Sequence, residues 1–293
     1  MAIYKDFKYD VLVYNNAFTG VISTLKHKAK VIVMINDYNR LSFLEENFSF
    51  SRNYFKNFLL FHFEKVAAKN AKCTIVNSVY LKQTISKMYG LSEDKIKVLY
   101  KGVDLKEIKF RLREDFGSTI HILFVKGGYV NGGYYDLIKA IKEIKDYNIK
   151  ITIIGPRVVD LGKIKNHLLD NNINFTLLGP THPDEVKKYF EMADIFCVPS
   201  YKEALGVANI QALASGLPVI STNVGGIPEV LDYGRCGWMV KPGKPKELAV
   251  AIKECIQNHK LRIKRSKAGY EHVKKFDSNN LINNFLDIIN SVN

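Results

Sequence analysis

The chain has 293 residues, 47% hydrophobic and 25% charged, which excludes a disordered or fibrous protein and leaves room for one large or two modest cores. No run reaches the ~18 apolar residues of a membrane span, and charges interrupt the N-terminal MAIYKDFKYD, unlike a signal peptide. The net charge of +14 leans toward the front, with 20 Lys+Arg against 12 Asp+Glu through Asp115. Such a surplus favours an anionic partner (phosphorylated substrate, acidic lipid surface or nucleic acid), although a Lys/Asn-rich coding bias produces the same surplus.

The short β-branched runs 10–14 (DVLVY) and 30–35 (KVIVMI) read as parallel strands bridged by a helix over 19–27. Residues 52–69, RNYFKNFLLFHFEKVAAK, read as a helix whose Tyr54, Phe55, Phe58, Leu59, Phe61 and Phe63 cover more than one face. Two burials account for that load: packing on the sheet, which an aromatic stripe favours, or lying on a membrane with Arg52, Lys56 and Lys65 at the headgroups. A strand at 73–77 follows, then Ser78 as N-cap of a helix to Met88, a strand at 95–100 and a turn over 101–104. Residues 105–119 are charged and lack a clear period, so a domain boundary is expected at 115.

Beyond it the pattern alternates. Strands are expected at 120–125, 149–154, 175–178, 195–198, 219–221 and 237–240, with helices from Tyr134, Leu161, Pro183, Gly206 and Pro228 and after Pro245. Alternation implies a parallel, doubly wound sheet that binds its ligand outside the strands' carboxyl ends, at the loops after Val125, Ile154, Leu178, Val198 and Ser221. The tail 276–289 is amphipathic. The cysteines, Cys73, Cys197, Cys236 and Cys255, form no C-x-x-C pair, which argues against zinc and disulfides and for buried thiols in a reduced cytoplasm. The seven histidines show no metal-ligand spacing, so no metal site is expected.

The stretch 198–228, VPSYKEALGVANIQALASGLPVISTNVGGIP, organises this half. A helix opening at Gly206 directly after a strand offers free N–H groups and a positive dipole end to phosphate oxygens. Glu203, just ahead of it, repels a bare phosphate but suits the hydroxyls of a sugar, so the stretch suggests a sugar attached to a diphosphate. It resembles the signature of retaining GT-B glycosyltransferases of the group-1 (family 4) type, through Pro199-Ser200, Glu203-Ala204-Leu205-Gly206, Gly216-Leu217-Pro218-Val219-Ile220 and Gly225-Gly226-Ile227-Pro228-Glu229. The run NSVYLKQTISKMYGLSEDKIKVLYKGVD resembles the end of that family's first domain, with Lys101 in place of the usual Asn.

The resemblance implies an α/β, GT-B-like fold of two Rossmann-like domains with parallel sheets, the first abbreviated. The expected organisation is an acceptor-side domain over 1–115, a nucleotide-sugar domain over 116–275 and a helix over 276–293 that crosses back to the first domain. It implies sugar transfer from a UDP- or GDP-sugar with retention of configuration, no metal and no cofactor beyond the donor. Glu203 would bind the donor sugar, and the N–H groups of Leu205, Gly206 and Val207 would cradle sugar and diphosphate. Gln211, standing where the family has a second acid, would face the ribose without the charge assistance a Glu gives.

The chain departs from the family pattern elsewhere too. The loop after the second domain's first strand usually carries an Arg and a Lys. Here it reads Lys126-Gly127-Gly128-Tyr129-Val130-Asn131-Gly132-Gly133, with Gly132 at the Lys position, so Lys126 is its only cation. Gly127, Gly128 and Gly155 are expected to bring backbone N–H groups to the diphosphate. Asn36 stands for the family's His and can hydrogen-bond a sugar hydroxyl but carries no proton. The acceptor, whether glycan, lipid or protein, is not legible. The alternatives are a non-catalytic nucleotide-sugar-binding subunit that pairs with another chain or a second copy, and a protein that kept the fold to bind an anionic membrane; nucleic acid is the less favoured partner. The expected place of work is the cytoplasm, with peripheral contact at the membrane. Missing motifs disfavour a metal-dependent GT-A enzyme (no Asp-x-Asp), a P-loop protein and a Gly-x-Ser-x-Gly hydrolase.

Overall fold

The computed structural model describes residues 10–26, 31–37 and 52–292. The expected helix end at His27, the strand start at Lys30 and the charged N-terminal residues through 9 lie outside them. The chain forms two compact units, 1–101 with 279–293, and 102–278.

The first unit holds a parallel sheet in the order β1 (Leu12–Tyr14), β2 (Val31–Ile35), β3 (Cys73–Val76), β4 (Ile96–Val98). Successive side chains of a strand point to opposite faces. Val31, Val33 and Ile35 therefore enter one core with Phe61, Ala68, Ile85 and Tyr89. Ile32 enters the other, with Cys73, Ile75 and the chain's end. Both faces are covered, which is why β2 reads as an unbroken apolar run. Each fully buried Val or Ile contributes roughly 1.5–3 kcal/mol.

The first core is built by α2 (Arg52–Asn70) and α3 (Val79–Tyr89), which follow the short α1 (Val21–Lys26). Ser78 caps α3 as expected, its Oγ accepting from Leu81 N at 3.1 Å, and Gly90 ends it at φ 65°. The favoured burial of the α2 aromatics holds for one face only. Phe61 is buried, whereas Phe55, Phe58, Leu59 and Phe63 are exposed. The second core is closed by α11 (Ser278–Asn290), whose Phe285, Ile288 and Ile289 pack with Val292 against Ile32 and Ile75.

In the second unit β5 (Thr119–Val125), β6 (Asn148–Ile154), β7 (Asn174–Leu177), β8 (Ile195–Val198), β9 (Val219–Thr222) and β10 (Trp238–Val240) are all parallel, in the order β10-β9-β8-β5-β6-β7. This is the doubly wound arrangement, with its switch of direction between β5 and β8. The helices are α4 (Tyr134–Lys142), α5 (Val158–Asp170), α6 (Pro183–Met192), α7 (Val207–Ala214), the single turn α8 (Ile227–Val230), α9 (Pro245–Gln257) and α10 (His259–Val273). The last was not anticipated; Asn258 starts it by accepting from Leu261 N at 3.0 Å.

Residues 102–115, read from sequence as the end of the first domain, lie in the second unit. Arg113 explains this. Only 2% exposed, it donates to the carbonyls of Ala193, Phe190, Glu191, Ser215 and Arg111. Arg262 from α10 in turn donates to Arg113 O at 3.0 Å and stacks on Phe116 at 4.1 Å. Burial lowers the Arg113 pKa to about 10.

Candidate functional site

The switch point places two loops side by side: 126–133 after β5 and 199–206 after β8. In the first, Gly132 N donates to Gly128 O at 2.9 Å and Gly133 N to Val130 O at 3.0 Å, folding the glycine run into turns that start α4. A β-carbon on Gly133, at φ 76°, would lie 2.0 Å from Pro199 O, so only glycine lets the loops approach. Tyr201 ties them further, its N donating to Asn131 O at 2.8 Å and its hydroxyl to Asp136 Oδ2 at 2.5 Å. That hydrogen bond, with burial, pushes the Tyr201 phenol up to about 12.

Across this junction Lys126 Nζ donates to a carboxylate oxygen of Glu203. Both side chains are mostly buried, at 24% and 20% exposed. A β-carbon on Gly132 would lie 2.8 Å from Lys126 Cγ, so the lysine stem fills the room that a side chain at 132 would take. Gly225, in the loop after β9, packs on the backbone of Glu203: its β-carbon would sit 1.6 Å from Glu203 O. Ser221 and Thr222 fasten β9 to β8 through Val198 O at 2.7 Å and Ser200 O at 2.5 Å.

Helix α7 opens beside Glu203. Gly206 adopts φ 94°, and the first bonds of the helix run from Asn209 N and Ile210 N back to Gly206 O. The N–H groups of Leu205, Gly206 and Val207 precede that ladder, at the positive end of the helix. Leu205 is buried and anchors the turn. Asn209, 3% exposed, keeps its Oδ1 without a hydrogen-bond partner one turn further on. In the sequence nothing marks Asn209 beyond its place between Glu203 and Gln211.

The loop after β6 meets the loop after β5, since a β-carbon on Gly155, at φ 103°, would lie 3.1 Å from Gly127 N; contrary to expectation, the N–H of Gly155 is taken up by Gly179 O at 3.1 Å. Gly128 faces open space. Gln211 lines a pocket of about 180 Å³ with Val207, Asp104, Glu107, Lys187 and Phe190, and Lys187 reaches Glu107 at 2.6 Å. Glu203 and Lys126 are not among its lining. Thus Lys126, Gly127, Gly128, Gly155, Glu203, Leu205, Gly206, Val207 and Gln211 all belong to the second unit. Asn36 lies in the first, at the end of β2, where its Nδ2 donates to Asn15 O and Asn15 Oδ1, both at 2.9 Å.

The cysteines are free and buried. One group of metal-capable side chains comes together among the described residues: Asp232, Cys236 and His272, within 4.8 Å of one another. Arg235 donates to Asp232, and Lys275 donates to Glu229 O beside His272, so two cations oppose a divalent ion there. No metal role is assigned to it.

Comparison with known proteins shows the family of the chain. Residues 106–272 match the family model "Glycosyl transferases group 1", and residues 1–107 match "Glycosyltransferase Family 4". The chain belongs to the group 1 glycosyl transferases. It is 29% identical to the capsular polysaccharide biosynthesis glycosyltransferase CapM of Staphylococcus aureus, over 76% of this chain and 63% of that one. It therefore spans less than two thirds of that relative's length. Among solved structures, sucrose-phosphate synthase from Thermosynechococcus elongatus superposes with a TM-score of 0.83 at 18% identity, covering 98% of this chain and 74% of that one. Anabaena HepE, solved in complex with UDP-glucose, superposes with a TM-score of 0.78 at 18% identity, covering 97% and 79%. These likenesses give the group 1 chain a GT-B fold, as the sequence implied.

Proposed function

We propose that this glycosyl transferase moves a sugar from a nucleoside-diphosphate donor, a UDP- or GDP-sugar, to a glycan, lipid or protein acceptor with retention of configuration and without a metal ion. The observation that carries the reading is the Lys126–Glu203 pair beside the start of α7, at the sheet's switch point. Before the donor arrives, carboxylate and ammonium satisfy one another. On binding, Glu203 turns to the sugar hydroxyls and Lys126 is released to the diphosphate. The N–H groups of Leu205, Gly206 and Val207, with those of Gly127 and Gly128, meet the remaining oxygens, Gly155 leaves room for the ligand, and Gln211 hydrogen-bonds the ribose.

In the reaction the bond from the anomeric carbon to the diphosphate oxygen breaks, and the acceptor hydroxyl oxygen bonds to that carbon on the same face. The acceptor proton leaves with the diphosphate, whose growing charge Lys126 and the α7 end stabilise. Asn36 offers an amide to a sugar hydroxyl. The UDP-glucose in HepE supports a nucleotide sugar as the ligand class. The proposed place of work is the cytoplasm, with peripheral contact at the membrane.

Melting temperature measured against UDP, GDP and their sugars tests the donor site. A ligand at ~100 times its Kd stabilises the fold by ~2.7 kcal/mol. A shift with one nucleotide sugar that Glu203→Ala removes, and that persists in EDTA, is the expected result; no shift with any of them overturns the reading.

A further inference from the structure

We propose that the outer face of α2 docks on an anionic lipid bilayer. Helix α2 has two apolar faces. The inner one buries Phe61, Ala67 and Ala68 in the first unit's core. The outer one presents Phe55, Leu59, Phe63 and Val66, which are 46%, 52%, 46% and 37% exposed. Their spacing of four, four and three residues sets them in one stripe along the helix. Helix α1, which packs on α2, adds exposed Ile22 and Leu25 to the same unit's surface. Large apolar side chains gathered on one exposed face mark an interaction surface.

Charge decides the occupant. Lys56 and Lys69 on α2 and Lys26 at the end of α1 are exposed. The one acid in the two helices, Glu64, is 4% exposed and accepts from Tyr89 OH at 2.7 Å, so it offsets nothing at the surface. The stripe therefore sits in a cationic frame. A second copy laid on it by two-fold symmetry would bring the same lysines face to face, which like-charge repulsion opposes. An anionic bilayer suits both parts: phenyl and isobutyl groups enter the acyl boundary, while the lysine stems carry their ammonium groups to lipid phosphates.

The proposal deepens the peripheral membrane contact proposed above and is independent of the transfer reaction, because the assay contains no donor; its failure removes that contact and leaves the glycosyl-transfer reading in place. The full chain is floated with vesicles of phosphatidylcholine alone, or of phosphatidylcholine and phosphatidylglycerol in equal parts. Binding is expected to the mixed vesicles only and to weaken as salt rises. Leu59→Ser with Phe63→Ser should keep the circular dichroism and melting temperature of the parent and lose at least ~10-fold in partition. Lys56→Glu with Lys69→Glu should lose a similar factor, on anionic vesicles alone. As a second readout, Leu59→Cys carrying an environment-sensitive dye should report an apolar setting on mixed vesicles; the native thiols are buried and leave that label alone. Equal binding to both vesicle types, or unchanged partition of the serine variant, overturns the proposal. So does a concentration-dependent dimer of the parent that the serine variant abolishes without lipid.

Discussion

At the scale of single residues, Lys126 and Gly132 divide one space between them. The sequence displayed a lysine one place early and a glycine where the family carries the cation. It did not display that the lysine stem lies across that glycine and ends on Glu203. Contact between loops far apart in sequence comes from the sheet order, which periodicity alone leaves open. Lys126→Ala should therefore leave the fold intact and lower kcat by ~10²–10³, the usual cost of removing one donor to a developing anion. Gly132→Lys alone should lower the melting temperature, because Lys126 already fills that space. The pair Lys126→Gly with Gly132→Lys should recover stability and part of the activity. Calorimetry and steady-state rates on the three variants check this.

Elements were most legible where burial is two-sided and glycine marks the end. The second sheet's strands read as apolar runs because helices cover both faces, and Gly206 and Gly216 bracket α7 at φ 94° and 73°. Helix α2 was harder to read, since its aromatic content gave no sign of which face is inside. Helix α10 went unread because α9 runs into it with only Asn258 between. The charged segment 102–115 looked like a linker, yet the buried guanidinium of Arg113 ties it to backbone carbonyls that no sequence pattern announces. The second glycine loop makes a prediction at this scale. Gly225→Ala, at φ 57° and against Glu203 O, should cost ~1–3 kcal/mol in urea unfolding and weaken donor binding with it, because the acid must move. Gly128→Ala, whose β-carbon meets nothing, should leave the unfolding free energy unchanged.

Across the whole molecule, stability should fall as the solution is acidified through about 6.5. Burial holds the imidazoles of His167 and His272 below that ordinary value. As the pH drops, the unfolded chain takes up protons that the folded one refuses, so the equilibrium moves toward unfolding; above 6.5 neither group contributes. His167→Asn should flatten this slope in unfolding measured from neutral to mildly acid pH. The way the two units share the chain has a consequence for its synthesis. Residues 102–278 form one uninterrupted unit, but the first sheet receives its second cover, Phe285, Ile288, Ile289 and Val292, only from the last stretch of chain. On the ribosome, Ile32 and Ile75 stay bare until residues 285–292 have emerged, so this sheet is sealed only after the whole of the second unit has been made.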